Sequence, residues 1–556
     1  MEPPTIPYAF CLLLGISLAL ALHASGAAAD QREIVISPSP TGAPVIGPAL
    51  ETAPPGAVVR LKPGLYREYV TITRTASLVG EEGAVIDPAE PLVASWESAA
   101  GGLGKGVYRA AVGRRPYALF IDGKSVAQLN DERPEPADEA GPWFWKRVIV
   151  SGPQDAGLGI IRGLWMYRED EHAVYMHLEG DESPASRACS VLWTSTAAVT
   201  IRDAREARLQ GLEIRHGYNG VVIAGTSDHC SILGCRVSLW EKDGILLKDA
   251  AAGCLIERNE VFRAGYEDVD VFVLSPQTYD QVWRVHKDAG MWDRVGILVW
   301  GAGSGNRIHA NRVYDVFDGI DVHTPEGYWY LDRVDANPMQ NTGTEVWDNT
   351  IEDIRDSGIE LGGSVRDVKV HHNFLRNTLG GIRYKSPRFG PIYIYRNVLV
   401  DNQHNFWYSM DDSPAEGYVY HNTVIGGDAF LRFGGWKVDK LIGAQNWHYL
   451  NNLSLALQGF YHPRGSSPLP IQFLADYNVS INGGQPYPDN PYRDTHSRYV
   501  ESVDLQPGLP PKPAPGSPAI DAGLDLSTYL HGHPLPGCEP GYFKGSAPDA
   551  GAYEVQ

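Results

Sequence analysis

A right-handed parallel β-helix is the fold class this sequence predicts, and three features predict it. A phrase built on Asn followed two residues later by an apolar residue recurs along the chain; the recurrence keeps a period of about 24 residues; and the segments between recurrences are short alternating runs broken by Gly, with no 3.6-residue period. The phrase reads LQGLEI, LGCRV, IERNEV, IHANRV, VWDNTI, VHHNFL, IYRNVL, VYHNTV and YLNNL. Aligned on the Asn slot, these give Gly211, Cys235, Asn259, Asn311, Asn349, Asn373, Asn397, Asn422 and Asn451, at steps of 24, 24, 52, 38, 24, 24, 25 and 29. So short a unit with three strands cannot bury its own apolar face, whereas coils stacked about 4.8 Å apart bury it continuously. Parallel crossovers are overwhelmingly right-handed. Asn at one inward turn then passes hydrogen bonds from coil to coil and satisfies backbone groups that burial would leave unpaired. The slot is a structural ladder, and Cys235 fills it as core.

In chain order, residues 1–29 read as a cleaved export signal: an apolar run from Phe10 to Leu22, then Ala27-Ala28-Ala29 before Asp30, although Glu2 and no Lys or Arg precede the run. A secreted or periplasmic location is expected. The apolar run has 13 residues, short for a bilayer core of about 30 Å, so no stable membrane insertion is expected after cleavage. Cleavage removes Glu2 and changes the formal charge only from −20 to −19, which argues against nucleic acid as a partner. A local basic patch can still override that field for an anionic polysaccharide. Five cysteines remain, Cys189, Cys230, Cys235, Cys254 and Cys538, with no CxxC pair to suggest zinc. Cys230 and Cys254 are one coil apart, and a disulfide and a pair of stacked thiols both stay open.

The β-helix is expected over residues 30–480, with a side lobe inserted at about 116–190, cleft loops at about 264–295 and 324–340, and a C-terminal extension over 481–556 packing on the coils. GAVVRLKPGLYREYVTITRTASLVGEEGAVID, from Gly56 to Asp87, resembles the opening coils of pectate-lyase-like β-helix proteins, with Pro63-Gly64-Leu65-Tyr66 as the turn. FIDGK (Phe120 to Lys124) and LWMYREDEHAVYMHLEGDESP (Leu164 to Pro184) resemble the side lobe of many bacterial β-helix glycosidases. SPAIDAG (Ser517 to Gly523) and PDAGAYE (Pro548 to Glu554) resemble the closing segment of secreted β-helix proteins.

One strand per coil carries the chemistry. Seven coils contribute GILLK, GILVW, GIDVH, GIELG, GIRYK, NFWYS and AFLRF. Side chains alternate across a strand, so the residue after the inward apolar one points outward. One exterior column is therefore expected to read Leu246, Leu298, Asp321, Glu360, Arg383, Trp407 and Leu431. The next reads Lys248, Trp300, His323, Gly362, Lys385, Ser409 and Phe433. Asp411 and Asp412 follow closely, and the two long loops bring Tyr279, Trp283, Trp292, Tyr328, Trp329 and Tyr330, whose flat faces suit sugar rings. Long loops beside a polar face wall a cleft.

Asp321 and Glu360 are the sharpest pair. Outward carboxylates on neighbouring coils fall near the roughly 5–5.5 Å of retaining glycosidases rather than the 6.5–9.5 Å of inverting ones. The arrangement resembles the β-xylosidase type of β-helix glycoside hydrolase, and the resemblance implies Asp321 as nucleophile and Glu360 as acid/base. Arg383 beside Glu360 favours the ionised form and opposes that assignment, so reversed roles stay open. His323, Arg383, Lys385, Trp300, Trp407, Asp411 and Arg388 are the expected substrate-binding residues for an oligo- or polysaccharide. A hydrolase of this kind needs no cofactor or metal.

Two other classes stay open. A polysaccharide lyase or epimerase acting on uronic acids would use Arg383, Lys385 and Arg388, with Asp321 and Glu360 holding Ca²⁺. A non-catalytic glycan-binding or surface β-helix would instead show monotonous polar columns and short uniform loops. A single outward Asp or Glu is ordinarily solvated surface; His216 and His404 read as turn residues beside the cleft, and Glu267, Asp268 and Asp270 as an exposed acidic loop. The coincidence of acid, base and aromatic groups on successive coils favours an enzyme, and paired acids in register favour hydrolysis.

Overall fold

The computed structural model describes residues 33–99, 106–128, 163–263, 294–324, 340–385, 387, 389–409, 415–433, 446–463, 473–481 and 495–555. The expected export signal, the loop aromatics, Arg388, Asp411, Asp412 and the Glu267–Asp270 run lie outside these residues.

The predicted β-helix is what the chain forms. One face is a sheet of 13 parallel strands, running from Glu33–Ile36 to Leu474–Asp476. The other two rows join into a sheet of 22 strands, because in two coils the corner between them is strand throughout: Thr350–Gly362 and Phe374–Lys385 run unbroken from one row into the next. Inward positions stack like on like. Ile297, Ile320, Ile359, Ile382, Phe406 and Leu431 form one wholly buried file, and Val299, Val322, Leu361 and Tyr384 the next.

Two ladders hold the coils in register. In the first, the Oδ1 of each Asn accepts the backbone N–H and the side-chain amide of the Asn before it: Asn349 Oδ1 lies 3.0 Å from both Asn311 N and Asn311 Nδ2, and Asn373 Oδ1 3.0 and 2.9 Å from the same atoms of Asn349. It runs from Cys235 through Asn259, Asn311, Asn349, Asn373, Asn397 and Asn422. The next rung corrects the sequence reading: Asn452, not Asn451, accepts from Asn422, and Asn478 continues the series. Asn451 takes a left-handed backbone instead, at φ 54°, and turns outward to bond Leu524 in the C-terminal extension.

The second ladder is glycine. A Cβ on Gly244, Gly296, Gly319, Gly358 or Gly381 would meet a carbonyl oxygen of the following coil at 2.3 to 2.8 Å, too close for any side chain. This is why five strands of the functional row carry a Gly at this corner, which closes so tightly that only hydrogen fits.

The N-terminal end is covered by the helix Ile46–Thr52, whose Ile46 and Leu50 are buried and whose first N–H groups bond the Glu68 carboxylate. Antiparallel strands between Glu90 and Leu192 build the side lobe, starting ahead of the expected boundary at 116. The lobe has its own core of Trp165, Met176, Leu178 and Ile121. Its hairpin is fastened to the coils by His216, which bonds Asp87 at 2.9 Å and Gly123 O at 3.3 Å, and by a buried network of Ser125, Glu241, Arg263 and Arg294. His216 is thus a lobe anchor. The last coil strand, Arg498–Val500, lies beyond the expected limit of 480. The extension after it lays Leu526, Leu535 and Cys538 on a patch of Tyr393, Tyr395, Tyr418 and Tyr420. Cys230 and Cys254 are both buried thiols in this structure, each bonded to a backbone carbonyl. Among the described residues no helix is long and apolar enough to cross a membrane.

Candidate active site

The strands Val295–Trp300, Asp318–His323, the second half of Thr350–Gly362, the second half of Phe374–Lys385, and His404–Ser409 lie side by side. Their register pairs Leu298 with Asp321, Asp321 with Glu360, Glu360 with Arg383, and Arg383 with Trp407, as the alternation predicts. The column ends differently. Arg432, not Leu431, pairs with Trp407, because Leu431 stacks inward under Phe406, and Phe433 pairs with Tyr408. Asn405-Phe406-Trp407 and Ala429-Phe430-Leu431 lack the Gly that marks the register elsewhere, and a slip of one position reverses every side chain.

The second column holds Trp300 beside His323, with ring centroids 4.6 Å apart and planes at 73°. Lys385 stands next to Gly362, whose missing side chain leaves room between His323 and Lys385.

These groups converge on Glu360. Lys385 Nζ is 2.6 Å from Glu360 Oε1, Ser357 Oγ donates to Oε2 at 3.0 Å, and Arg383 Nη1 is 3.7 Å from Oε2. Burial alone would push this carboxyl up, but Lys385, Arg383 and His323 outweigh it and hold it down at about 2. Asp321 sits one coil away with His323 Nε2 at 3.6 Å from its Oδ2. Asp321, His323, Glu360, Arg383 and Lys385 are all buried, so the exterior face of the coil is here enclosed rather than washed by solvent.

Donor atoms of Asp321, His323 and Glu360 lie within 4.8 Å of one another, a spacing a cation could bridge. Glu360 in that group is also ion-paired, with Lys385 Nζ 2.6 Å from its Oε1. As arranged, the cluster is an ion-paired carboxylate facing a second carboxylate.

Around this centre stand residues the sequence reading passed over. Asp356 contacts Arg383 Nη1 with both oxygens at 3.4 Å, and Asp318 accepts the Ser357 N–H at 3.0 Å. The signal was present: each polar residue directly precedes a ladder Gly or stands one place before that. On the far side His404, read as a turn residue, bonds Asp428 at 2.7 Å, and Arg432 bonds the same carboxylate at 2.8 Å. Trp407 does not offer both faces to a sugar, since the Arg383 guanidinium lies 3.9 Å over its ring. Trp300 is half-buried and keeps part of its surface open.

The fold and the ladder define the class: a right-handed parallel β-helix protein. The family described as right-handed β-helix region matches residues 177–427. Among solved structures the chain is similar to the complex of XylC with xylose (14% identity, covering 90% of each chain, TM-score 0.44) and to a glycoside hydrolase (13%, covering 80% of this chain and 96% of that one, TM-score 0.44). It is also similar to pectate lyase Pel9A, at 13% identity over 94% and 96% of the two chains with a TM-score of 0.39. No curated protein matches the sequence.

Proposed function

We propose that this protein is an exported glycoside hydrolase acting with retention, in which Glu360 is the nucleophile and Asp321 the acid/base. The observation that carries the reading is the cationic setting of Glu360. Two carboxylates face each other with oxygens within 4.8 Å, and Lys385 and Arg383 both reach Glu360, at 2.6 and 3.7 Å. A carboxyl held at about 2 stays ionised and cannot deliver a proton to a leaving group, but it can attack an anomeric carbon. The transferred proton is assigned to Asp321, which is buried one coil away. This reverses the roles that the β-xylosidase resemblance implied.

In the first step a Glu360 oxygen bonds to the anomeric carbon while the glycosidic oxygen departs with the Asp321 proton. In the second, Asp321 takes a proton from water, the water oxygen bonds to the anomeric carbon, and Glu360 is released. Ser357 and Lys385 hold the Glu360 carboxylate in one orientation through both steps.

The lyase or epimerase reading rests on the adjacency of Arg383 and Lys385, but elimination needs a free base and cations free for the uronate, and both cations lie against carboxylates here. The test is incubation of the secreted protein with neutral and uronate-containing glycans, following reducing ends and the ultraviolet absorbance of unsaturated products, beside Asp321→Asn and Glu360→Gln. Reducing ends of retained anomeric configuration, lost by at least about 100-fold in both variants, support the proposal. Unsaturated products, or inversion, refute it.

A further inference from the structure

We infer that Trp407 and Asp356 form a clamp that positions Arg383 over Glu360, so that Trp407 acts on the reaction through the guanidinium and not as a sugar platform. The kinetic part rests on the function proposed above; the positional part does not. Three contacts bear on Arg383: its Cζ lies 3.9 Å over the Trp407 ring, Nη1 lies 3.4 Å from each Asp356 oxygen, and the same nitrogen is 3.7 Å from Glu360 Oε2. A guanidinium facing two carboxylates can pivot towards either one. A flat ring against its plane removes that freedom and fixes the division between them.

Trp407 is itself locked. It is 8% exposed, and the His404 ring meets it edge-on at 5.2 Å and 75°. His404 is fixed in turn by Asp428, whose carboxyl burial would raise but which the His404 hydrogen bond and Arg432 hold below the usual range. Beneath the indole lies Gly380, where a Cβ would fall 3.3 Å from Trp407 Cε3. A ring with a cation over one face and an imidazole set across it is a poor stacking surface for sugar and a good lid for Arg383.

Among the described residues, the groups about Glu360 include Asp321 and His323 from the preceding coil, Asp356 and Ser357 on its own strand with Asp318 bonded to Ser357, and Arg383 and Lys385 from the following coil. Of the two cations, Lys385 is in direct contact with Glu360, while Arg383 stands at a distance that the clamp sets.

The test uses the full-length protein as Trp407→Leu, Trp407→Phe and Gly380→Ala. Two quantities are read: the titration of the Glu360 carboxyl by ¹³C NMR without substrate, assigned by its loss in Glu360→Gln, and the acid limb of kcat/KM. The clamp predicts that Trp407→Leu raises the Glu360 midpoint by about one pH unit, that Trp407→Phe restores it, and that Gly380→Ala, which keeps the indole but displaces it, falls between. KM should change little. An unmoved midpoint with KM several-fold higher in Trp407→Leu would overturn the clamp in favour of a sugar platform. If Trp407→Leu does not fold, an unmoved midpoint in Gly380→Ala overturns it equally. A shifted midpoint in a protein without glycosidase activity supports the clamp and refutes the proposed function.

Discussion

Replacing Lys385 with Met removes the ammonium 2.6 Å from Glu360, in a pair whose side chains are only 8% and 3% exposed. At an effective dielectric near 20, charges so close attract by roughly 6 kcal/mol. Desolvation of the two ions offsets most of this, so the intact pair adds little net stability while a broken one costs about 3–5 kcal/mol. Lys385→Met is therefore expected to destabilise the protein by about 3–5 kcal/mol, and Lys385→Met with Glu360→Gln by far less than the two single changes together, a coupling of roughly 3 kcal/mol. The pH dependence has a definite sign. Glu360 is depressed from 4.5 to about 2 in the fold, so the stability it gives is present above about 4.5 and is lost as pH falls through 2, amounting to about 3 kcal/mol. Urea unfolding between about pH 1.5 and 7, followed by tryptophan fluorescence, measures both quantities. A coupling below about 0.5 kcal/mol, or an acid dependence in Lys385→Met identical to that of the parent, would refute the reasoning.

Other outcomes follow from the ladders and the C-terminal clasp. Asn349→Leu removes the acceptor for two Asn311 groups and the donor to Ile308 and Asn373, and should cost about 3–6 kcal/mol in chemical denaturation, far more than an exposed Asn would. Gly319→Ala, on the strand that carries Asp321, would set a Cβ 2.3 Å from Gly358 O of the next coil, and its thermal midpoint should fall by several degrees with activity lost alongside. His421 is buried, bonding Asp549 O through Nδ1 and Asn451 through Nε2, and burial with Arg396 nearby lowers it to about 3. It prefers to be neutral, so the clasp is expected to weaken as pH drops below about 6.5 towards 3, exposing the C-terminal extension to limited proteolysis. In His421→Gln this acid-induced cleavage should diminish.

Most of the fold was legible because its determinants are local and repeated. The Asn slot fixes a turn and, in the coils that carry Asp321, Glu360 and Arg383, a Gly fixes a corner, so counting from these placed the three in one column, and the pairing of Arg383 with Trp407 extends it. Where those markers doubled or vanished, the reading slipped by one residue: Asn451 stands beside the true rung Asn452, and Leu431 beside the true exterior residue Arg432. The ion pairing of Glu360 was only half legible. Alternation placed Lys385 two positions from Arg383, but that its ammonium would reach back to Glu360 instead of outward depends on the space left by Gly362. Asp356 was missed because it lies at a corner absorbed into one unbroken strand, where alternation from the inward Ile359 does not carry across the register shift between Ile354 and Ser357.

The stacked register also turns the functional face into a lattice with fixed pitch. A step between coils is about 4.8 Å and a step between like-facing residues within a strand about 6.6 Å, so functional groups take up discrete separations. A carboxylate at position 360 lies one step from Asp321, near the spacing of retention; the same carboxylate at position 383 would lie two steps away, about 9.6 Å, at the far edge of the range for inversion. On such a surface, exchanging two side chains between neighbouring coils would change the stereochemical course available while the backbone stayed where it is. Variation among these scaffolds can thus explore different reactions by relocating side chains on an unchanging grid.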